Sequence, residues 1–176
     1  FALESHRGTS ENKKKRAYTS GRRIAYDALH DPLTGVYNHS AFEVLFHDAD
    51  KKHIAMIIAD IDDYEKMKEE KGKRYCEQCV LKISEVLASC FRNVDHICRL
   101  REDEFAVIMA RITSDHERLL IDKVEQINAK LKESDLSLSF GIALNDEDDN
   151  EKDIFEDADR ALKEVKELSE RKYRIY

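Results

Sequence analysis

The chain has no tryptophan, a single proline (Pro32) and only five glycines among 176 residues. So few breakers exclude a collagen-like or low-complexity chain and leave regular elements to carry most of the length. No apolar stretch approaches the roughly 20 residues of a membrane-spanning helix, and no signal-peptide pattern opens the sequence. The first residue is Phe1 rather than Met, which reads as the C-terminal part of something longer. There are four cysteines, with Cys76 and Cys79 spaced CxxC and Cys90 and Cys98 further on. A zinc site needs all four to converge, yet three fall on a helical pattern and Cys98 on a strand pattern. Reduced thiols in a cytosolic protein are the expectation.

Charge is what the chain has in plenty: 38% of its residues are Asp, Glu, Lys or Arg, and the net charge is −7. Residues 1–30 carry a surplus of +4, so the remainder sums to −11. A body that acidic excludes a general nucleic-acid binder, whose affinity rests on phosphate contacts. The basic cluster Lys13-Lys14-Lys15-Arg16 reads as a solvated linker face. At this length one domain with a developed core is expected, plus an appendage.

Residues 1–10 read as disordered. From about Glu11 to His30 the pattern is helical, with Ala17, Gly21, Ile24 and Ala28 forming a short apolar seam at 4-3-4 spacing. Asp31-Pro32 stops it, because the residue before proline avoids the α region. Asn38 is an N-cap for a helix to about Asp50. His53–Ala59 is a continuous apolar run of strand length, suggesting burial on both faces. A short helix to about Glu70 and a longer one to Phe91 follow on either side of Gly72. Asp115 caps a helix to about Glu133. Leu136–Leu144 alternates as a strand, Asn145–Asn150 is an acidic loop, and a last helix spans about Asp153–Ser169. Tyr173–Tyr176 is a candidate edge strand. This β-α-β-β-α-β order is the ferredoxin-like plan, an α+β antiparallel sheet with helices packed on it. The expected division is a stalk over residues 1–30 and one domain over 31–176.

Between the two helical halves lies Ile97–Met109, ICRLREDEFAVIM, a hairpin whose tip is the charged knot Arg101-Glu102-Asp103-Glu104. Two-residue hairpin turns favour φ > 0, which glycine, asparagine and aspartate supply cheaply and Arg and Glu do not. The tip is therefore a longer, looser loop or an altered glycine turn. The first strand ends in Asp60-Ile61-Asp62-Asp63, and the ferredoxin-like plan sets it beside the hairpin, so Asp60 and Asp103 approach each other. Carboxylates meeting at a strand end are what a divalent-cation site for phosphoryl transfer requires.

These residues resemble the GGDEF family, the diguanylate cyclase domain that joins two GTP molecules into cyclic di-GMP. The matching stretches are Asp31-Pro32-Leu33-Thr34-Gly35-Val36-Tyr37-Asn38, Asp60-Ile61-Asp62, Phe140-Gly141-Ile142-Ala143, and Asp157-Ala158-Asp159-Arg160-Ala161-Leu162 with Lys166. The resemblance implies a nucleotide-cyclase palm fold, and Mg²⁺ or Mn²⁺ held by Asp60, the Ile61 backbone carbonyl and Asp103. It also places the signature acids at Asp103 and Glu104 and a phosphate-contacting lysine at Lys166. The signature stands here as Arg101-Glu102-Asp103-Glu104-Phe105, with both glycines replaced. In the family they let the backbone approach the nucleotide, and a side chain obstructs that. A carboxylate at Glu102 also opposes a triphosphate by roughly 3 kcal/mol per unit charge at about 5 Å and an effective dielectric near 20.

At the base-reading positions Lys68 stands for an asparagine and Glu77 for an aspartate. Glu65 replaces a common lysine and Lys73 a histidine, and the last-helix arginine falls on Glu170, with Arg171 one place late. Arg92-Asn93-Val94-Asp95 stands five residues before the signature, which matches the family's RxxD product-inhibition site. There Arg92 would fork a phosphate or guanine edge and Asp95 accept guanine N–H groups.

The resemblance thus implies a degenerate GGDEF domain without cyclase activity, a regulatory or cyclic di-GMP-binding module in the cytoplasm that homodimerises through its N-terminal helix or pairs with another GGDEF domain. The alternative is an active or residual diguanylate cyclase using GTP, or an enzyme acting on another nucleotide.

Overall fold

The computed structural model describes residues 3–145, 153–168 and 171–176. Helix α1 spans Leu3–Asp27, and α2 spans His39–Asp48, where the Asn38 side chain accepts the Ala41 N–H at 2.9 Å as the expected N-cap. Strand β1 is Ile54–Ile61, followed by α3 (Tyr64–Lys71) and α4 (Lys73–Cys90), which meet at Gly72 with φ +82°. The hairpin is β2 (His96–Arg99) and β3 (Glu104–Ala110). Helix α5 (Glu117–Lys132), strand β4 (Leu138–Leu144), helix α6 (Ile154–Leu168) and strand β5 (Tyr173–Ile175) complete the order.

The five strands form one sheet in the order β2-β3-β1-β4-β5. The first four are antiparallel neighbours, as the ferredoxin-like plan requires, with Asp60 opposite Glu104 and Ile57 opposite both Val107 and Ile142. One face packs against α4 and α5 through Cys79, Ile83, Leu120, Ile127, Phe105 and Phe140. The other packs against α2 and α6 through Phe42, Met56, Ile58, Ile108, Ala158 and Leu162. Every residue of β1 is buried because helices cover both faces. Each large side chain at full burial, such as Phe105 or Phe140, contributes about 2–3 kcal/mol.

Several expectations need correction. Helix α1 begins at Leu3, so residues 3–10 are helical rather than disordered. Helix α2 ends at Asp48, and Asp50 instead accepts the Lys52 N–H to cap a short 3-10 turn. Strand β1 runs on through Asp60 and Ile61, two residues beyond the apolar run, because both remain in register with β4. Asp115 is not a cap: it sits inside the 3-10 turn Ser114–His116, and the Thr113 N–H donates to His116 Nδ1 there. Strand β4 starts at Leu138, not Leu136, and is buried on both faces rather than one, since Gly141 and Ala143 lie under α6. Strand β5 pairs parallel with β4, so the sheet is mixed and not wholly antiparallel. Residues 146–150 of the acidic loop, Ser169 at the end of the last helix, and Glu170 lie outside the described residues.

The segment after α1 is tied to α2 and β2 through a compact joint. Asn38 caps α2 and also donates its Nδ2 to the Ala28 carbonyl at 2.9 Å. Tyr26 stacks on His30 at 3.7 Å and His30 on Tyr37 at 4.8 Å. Tyr37 in turn lies along β2, accepting from the Arg99 N–H at 2.8 Å. Of the α1 seam, Ala17, Gly21 and Ile24, and Ala28 just beyond the helix, are all exposed.

Candidate functional site

The site lies where the carboxyl end of β1 meets the hairpin tip. The tip turns without a residue at positive φ: among the described residues only Asp63, Arg111, Asp135, Gly35 and Gly72 adopt that region. It closes instead with the Leu100 and Arg101 N–H groups both donating to the Glu104 carbonyl, at 2.9 and 3.3 Å. Lacking glycine, the chain makes a wider loop that leaves Arg101 and Glu102 exposed, Arg101 paired with Glu104 and Glu102 with Lys68. Arg99 braces this loop from beneath, donating to both Asp31 carboxylate oxygens at 3.2–3.3 Å and to the Glu102 carbonyl at 2.8 Å. Burial pushes the Asp31 carboxyl up, but the Thr34 hydroxyl and N–H and the Arg99 charge outweigh it and hold the group below its ordinary value.

Asp60 and Asp103 do come together. The Ile61 N–H donates to the Asp103 carbonyl at 2.9 Å, and the Asp103 charge bears on Asp60. Asp60 is 7% exposed, and its carboxyl is raised above the ordinary value, by burial first, despite a hydrogen bond and ion pair from Lys166. Burial alone would lower Lys166, but its bond to Asp60 and the charges of Asp60, Asp103 and Asp62 hold it above its usual range. Glu104, opposite Asp60 in the sheet, is likewise raised by burial; the Arg101 charge opposes the rise and the neighbouring carboxylates add to it. Asp62 takes a different role. It accepts from Ser137, from Ser139 at 2.6 Å and from Lys172 at 2.7 Å, and these bonds outweigh burial and lower its pKa. The two serines and Lys172 were not singled out from sequence; the serines' hydroxyls matter only because β1 and β4 are neighbours.

Does this set suit a divalent cation? Asp60 and Glu104 are raised chiefly by burial, with the neighbouring carboxylates adding to it, and a cation beside them would favour their charged forms. Among the described residues no three His, Cys, Asp or Glu side chains converge, so a cation here would rest on two carboxylates and the Ile61 carbonyl. The Lys166 ammonium already lies on Asp60 Oδ2. A metal here would have to displace it.

The cleft has two ends that share Tyr64. The acid end, about 490 Å³, is lined by Asp62, Asp103, Ser139, Lys166, Arg171 and Lys172. Arg171 thus faces the cleft despite standing one place late. The other end, about 330 Å³, is lined by Lys68, Lys73, Glu77, Arg99, Arg101 and Glu102. Lys68 and Glu77, expected at a base pocket, are therefore together, with Lys73 paired to Glu77 at 3.8 Å.

Arg92 and Asp95 lie elsewhere, at the turn from α4 to β2. Asp95 has a fully buried carboxylate that accepts from the Arg92 N–H, Arg92 Nε and Arg92 Nη2 at 2.9, 3.1 and 2.7 Å, and from the Ala110 N–H at 3.3 Å. Arg92 also donates to the Ala110 carbonyl at 2.6 Å, and its side chain stays 44% exposed. Asp95 thus orients Arg92 in this state. Lys123 donates to the Cys90 carbonyl at 2.6 Å and lies 5.3 Å from the Phe91 ring centre, a cation held against the two residues that precede Arg92, which spacing along the chain did not reveal.

Comparison with known proteins bears on this geometry. The family model described as diguanylate cyclase, GGDEF domain, matches residues 28–172. The diguanylate cyclase VdcA of Vibrio cholerae is 28% identical over 159 residues, covering 83% of this chain and 46% of that protein. The diguanylate cyclase TpbB of Pseudomonas aeruginosa is 28% identical over 166 residues, covering 86% of this chain and 38% of its own. The chain therefore spans less than half the length of these relatives. Among solved structures, the coiled coil and GGDEF domain of DgcB from Caulobacter crescentus in complex with c-di-GMP superposes with a TM-score of 0.82. That match has 20% identity and covers 99% of this chain and 98% of that one, a likeness of fold.

Proposed function

The chain belongs to the GGDEF family of diguanylate cyclase domains, and from that premise we propose that it is a regulatory module of cyclic di-GMP signalling, not a working cyclase. The observation that carries this reading is internal charge pairing across the cleft. Lys166 lies on Asp60, Lys172 on Asp62 and Lys68 on Glu102, so the groups that would take up phosphate and cation already satisfy one another. Arg101 and Glu102 add two long side chains where the family's glycines leave room. Incubation with GTP and Mg²⁺ or Mn²⁺ yields no cyclic di-GMP on this reading, and clear turnover overturns it.

Cyclic di-GMP is the proposed ligand, bound at the α4–β2 turn. There the exposed edge of Arg92 meets a phosphate or guanine, Lys123 adds a second positive charge, and Asp95 holds the guanidinium in place. Calorimetry with cyclic di-GMP gives saturable binding that Arg92→Ala abolishes; a flat titration of the intact chain removes the receptor role. Residues 1–30 serve as a stalk ahead of the domain at 31–176, and the exposed seam on α1 suits a homodimer or a partner GGDEF domain. No helix among the described residues is long and apolar enough to cross a membrane. The proposed setting is cytoplasmic.

One observation favours the enzyme reading: Asp60 and Asp103 adjoin, with Glu104 beside them. In that case Asp60, the Ile61 carbonyl and Asp103 would hold Mg²⁺ or Mn²⁺, Lys166 would move to phosphate, and Lys68 and Glu77 would meet the base of GTP or of another nucleotide. The same GTP incubation decides between the two.

A further inference from the structure

Lys68 and Glu102 lie 34 positions apart, and from sequence each counts only as a separate loss of nucleotide chemistry. In the fold they meet at 2.6 Å, and both line the base end of the cleft, the one that also holds Glu77. Glu102 is held at both ends: Arg99 Nη2 binds its carbonyl at 2.8 Å while the Lys68 ammonium takes its carboxylate. Lys68 comes from the middle of α3 and lies 5.9 Å from the centre of the Tyr64 ring, the residue common to both ends of the cleft. The other charges around this end are also matched, Arg99 with Asp31, Lys73 with Glu77 and Arg101 with Glu104. The pairing holds Lys68 above its usual pKa and Glu102 below, each first through the hydrogen bond between them.

We propose that Lys68 and Glu102 form an ionic latch that closes the base end of the cleft, with Glu102 acting as the residue that selects against nucleoside triphosphates. The proposal rests on the reading of the chain as a non-cyclase and states what keeps nucleotide out. The Glu102 carboxylate acts as a built-in anion. Placed against Lys68 by the fold, it competes within the molecule for the ammonium that a phosphate would otherwise take. A triphosphate has to displace it and then sit beside the freed carboxylate, so it is opposed twice. The pair is exposed, at 36% and 61% for the two side chains, and so adds little to fold stability and opens readily. Removing the lysine is not equivalent to removing the glutamate. Without Lys68 the carboxylate still repels phosphate; without the Glu102 charge the ammonium is freed to bind it.

The test measures binding of fluorescent GTP and ATP analogues, with Mg²⁺ present, to the wild type, Glu102→Gln and Lys68→Gln, alongside hydrogen exchange of the tip amides. Glu102→Gln is expected to bind GTP or ATP roughly tenfold more tightly than the wild type, less than the full like-charge repulsion because the exposed carboxylate is screened by solvent. Lys68→Gln is expected to show no gain. Both variants release the tip, so exchange at residues 100–104 rises severalfold, and the swap Lys68→Glu with Glu102→Lys restores protection. Equal nucleotide affinity in the wild type and Glu102→Gln overturns the proposal. So does tip exchange that ignores all three variants. Synthesis of cyclic di-GMP by the wild type would instead overturn the functional reading, and hydrogen exchange reports on the latch separately from it.

Discussion

Replacing Gly141 with alanine tests how closely the sheet and α6 are packed. A methyl carbon built there lies 2.0 Å from the Ala158 carbonyl oxygen, 2.5 Å from the Leu162 nitrogen and 2.8 Å from the Leu162 Cβ. Two of those atoms are helix backbone, so no rotamer change relieves the contact and α6 itself must move. Reaching an ordinary contact near 3.4 Å from the oxygen calls for a displacement of over an ångström. Overpacking typically costs about 1–3 kcal/mol, and with backbone on both sides the upper end, about 3 kcal/mol, is expected here. For a chain of this size that lowers Tm by roughly 6–12 °C. Since α6 carries Lys166, the shift also draws the ammonium away from Asp60. Thermal melts followed by circular dichroism, with Gly35→Ala as the reference, measure the effect. Gly35 has φ +75° but open space around it, so its substitution costs only backbone strain, about 1 kcal/mol. If Gly141→Ala melts no lower than Gly35→Ala, the close approach of α6 to β4 is wrong.

Two other expectations follow from burial. Asp60 has a folded-state pKa raised above its ordinary 3.8, so its favourable contribution is complete below that value and is lost as pH rises through the folded pKa. Asp60→Asn, neutral at every pH, should therefore stabilise the domain at neutral pH, with the gain fading below pH 3.8. Urea melts across that range check the sign, and a gain that persists in acid refutes it. Cys98 is fully buried and its thiol is pushed up to about 12. A disulfide exchange reagent at pH 8 should leave Cys98 unlabelled in the native state and label it in urea, read by mass spectrometry; fast native labelling at Cys98 contradicts the packing of β2 against the second core.

Much of the architecture was legible because burial leaves a periodic trace. The unbroken apolar run of β1 announced a strand covered on both faces, and Asn38 announced the start of α2. The misreadings have local causes. Leu136, Leu138, Phe140, Ile142 and Leu144 show a clean alternation, but the small residues between them are buried too, under a helix that is distant in sequence. Asp115 looked like a cap, yet Thr113 and His116 make that turn. The parallel pairing of β5 depends on where α6 returns the chain, which strand-level pattern does not encode.

Sequence by itself determined the inventory: the order of elements, the acids at the end of β1 and the hairpin tip, and the two missing glycines. It did so because residue chemistry and hydrophobic period are local properties. Only the tertiary structure decided how those charges are used. It put Lys166 on Asp60, Lys172 and two serines on Asp62, and Lys68 on Glu102. Ion pairing depends on distances of a few ångströms between residues up to 110 positions apart, and only the folded sheet and its helices set those distances.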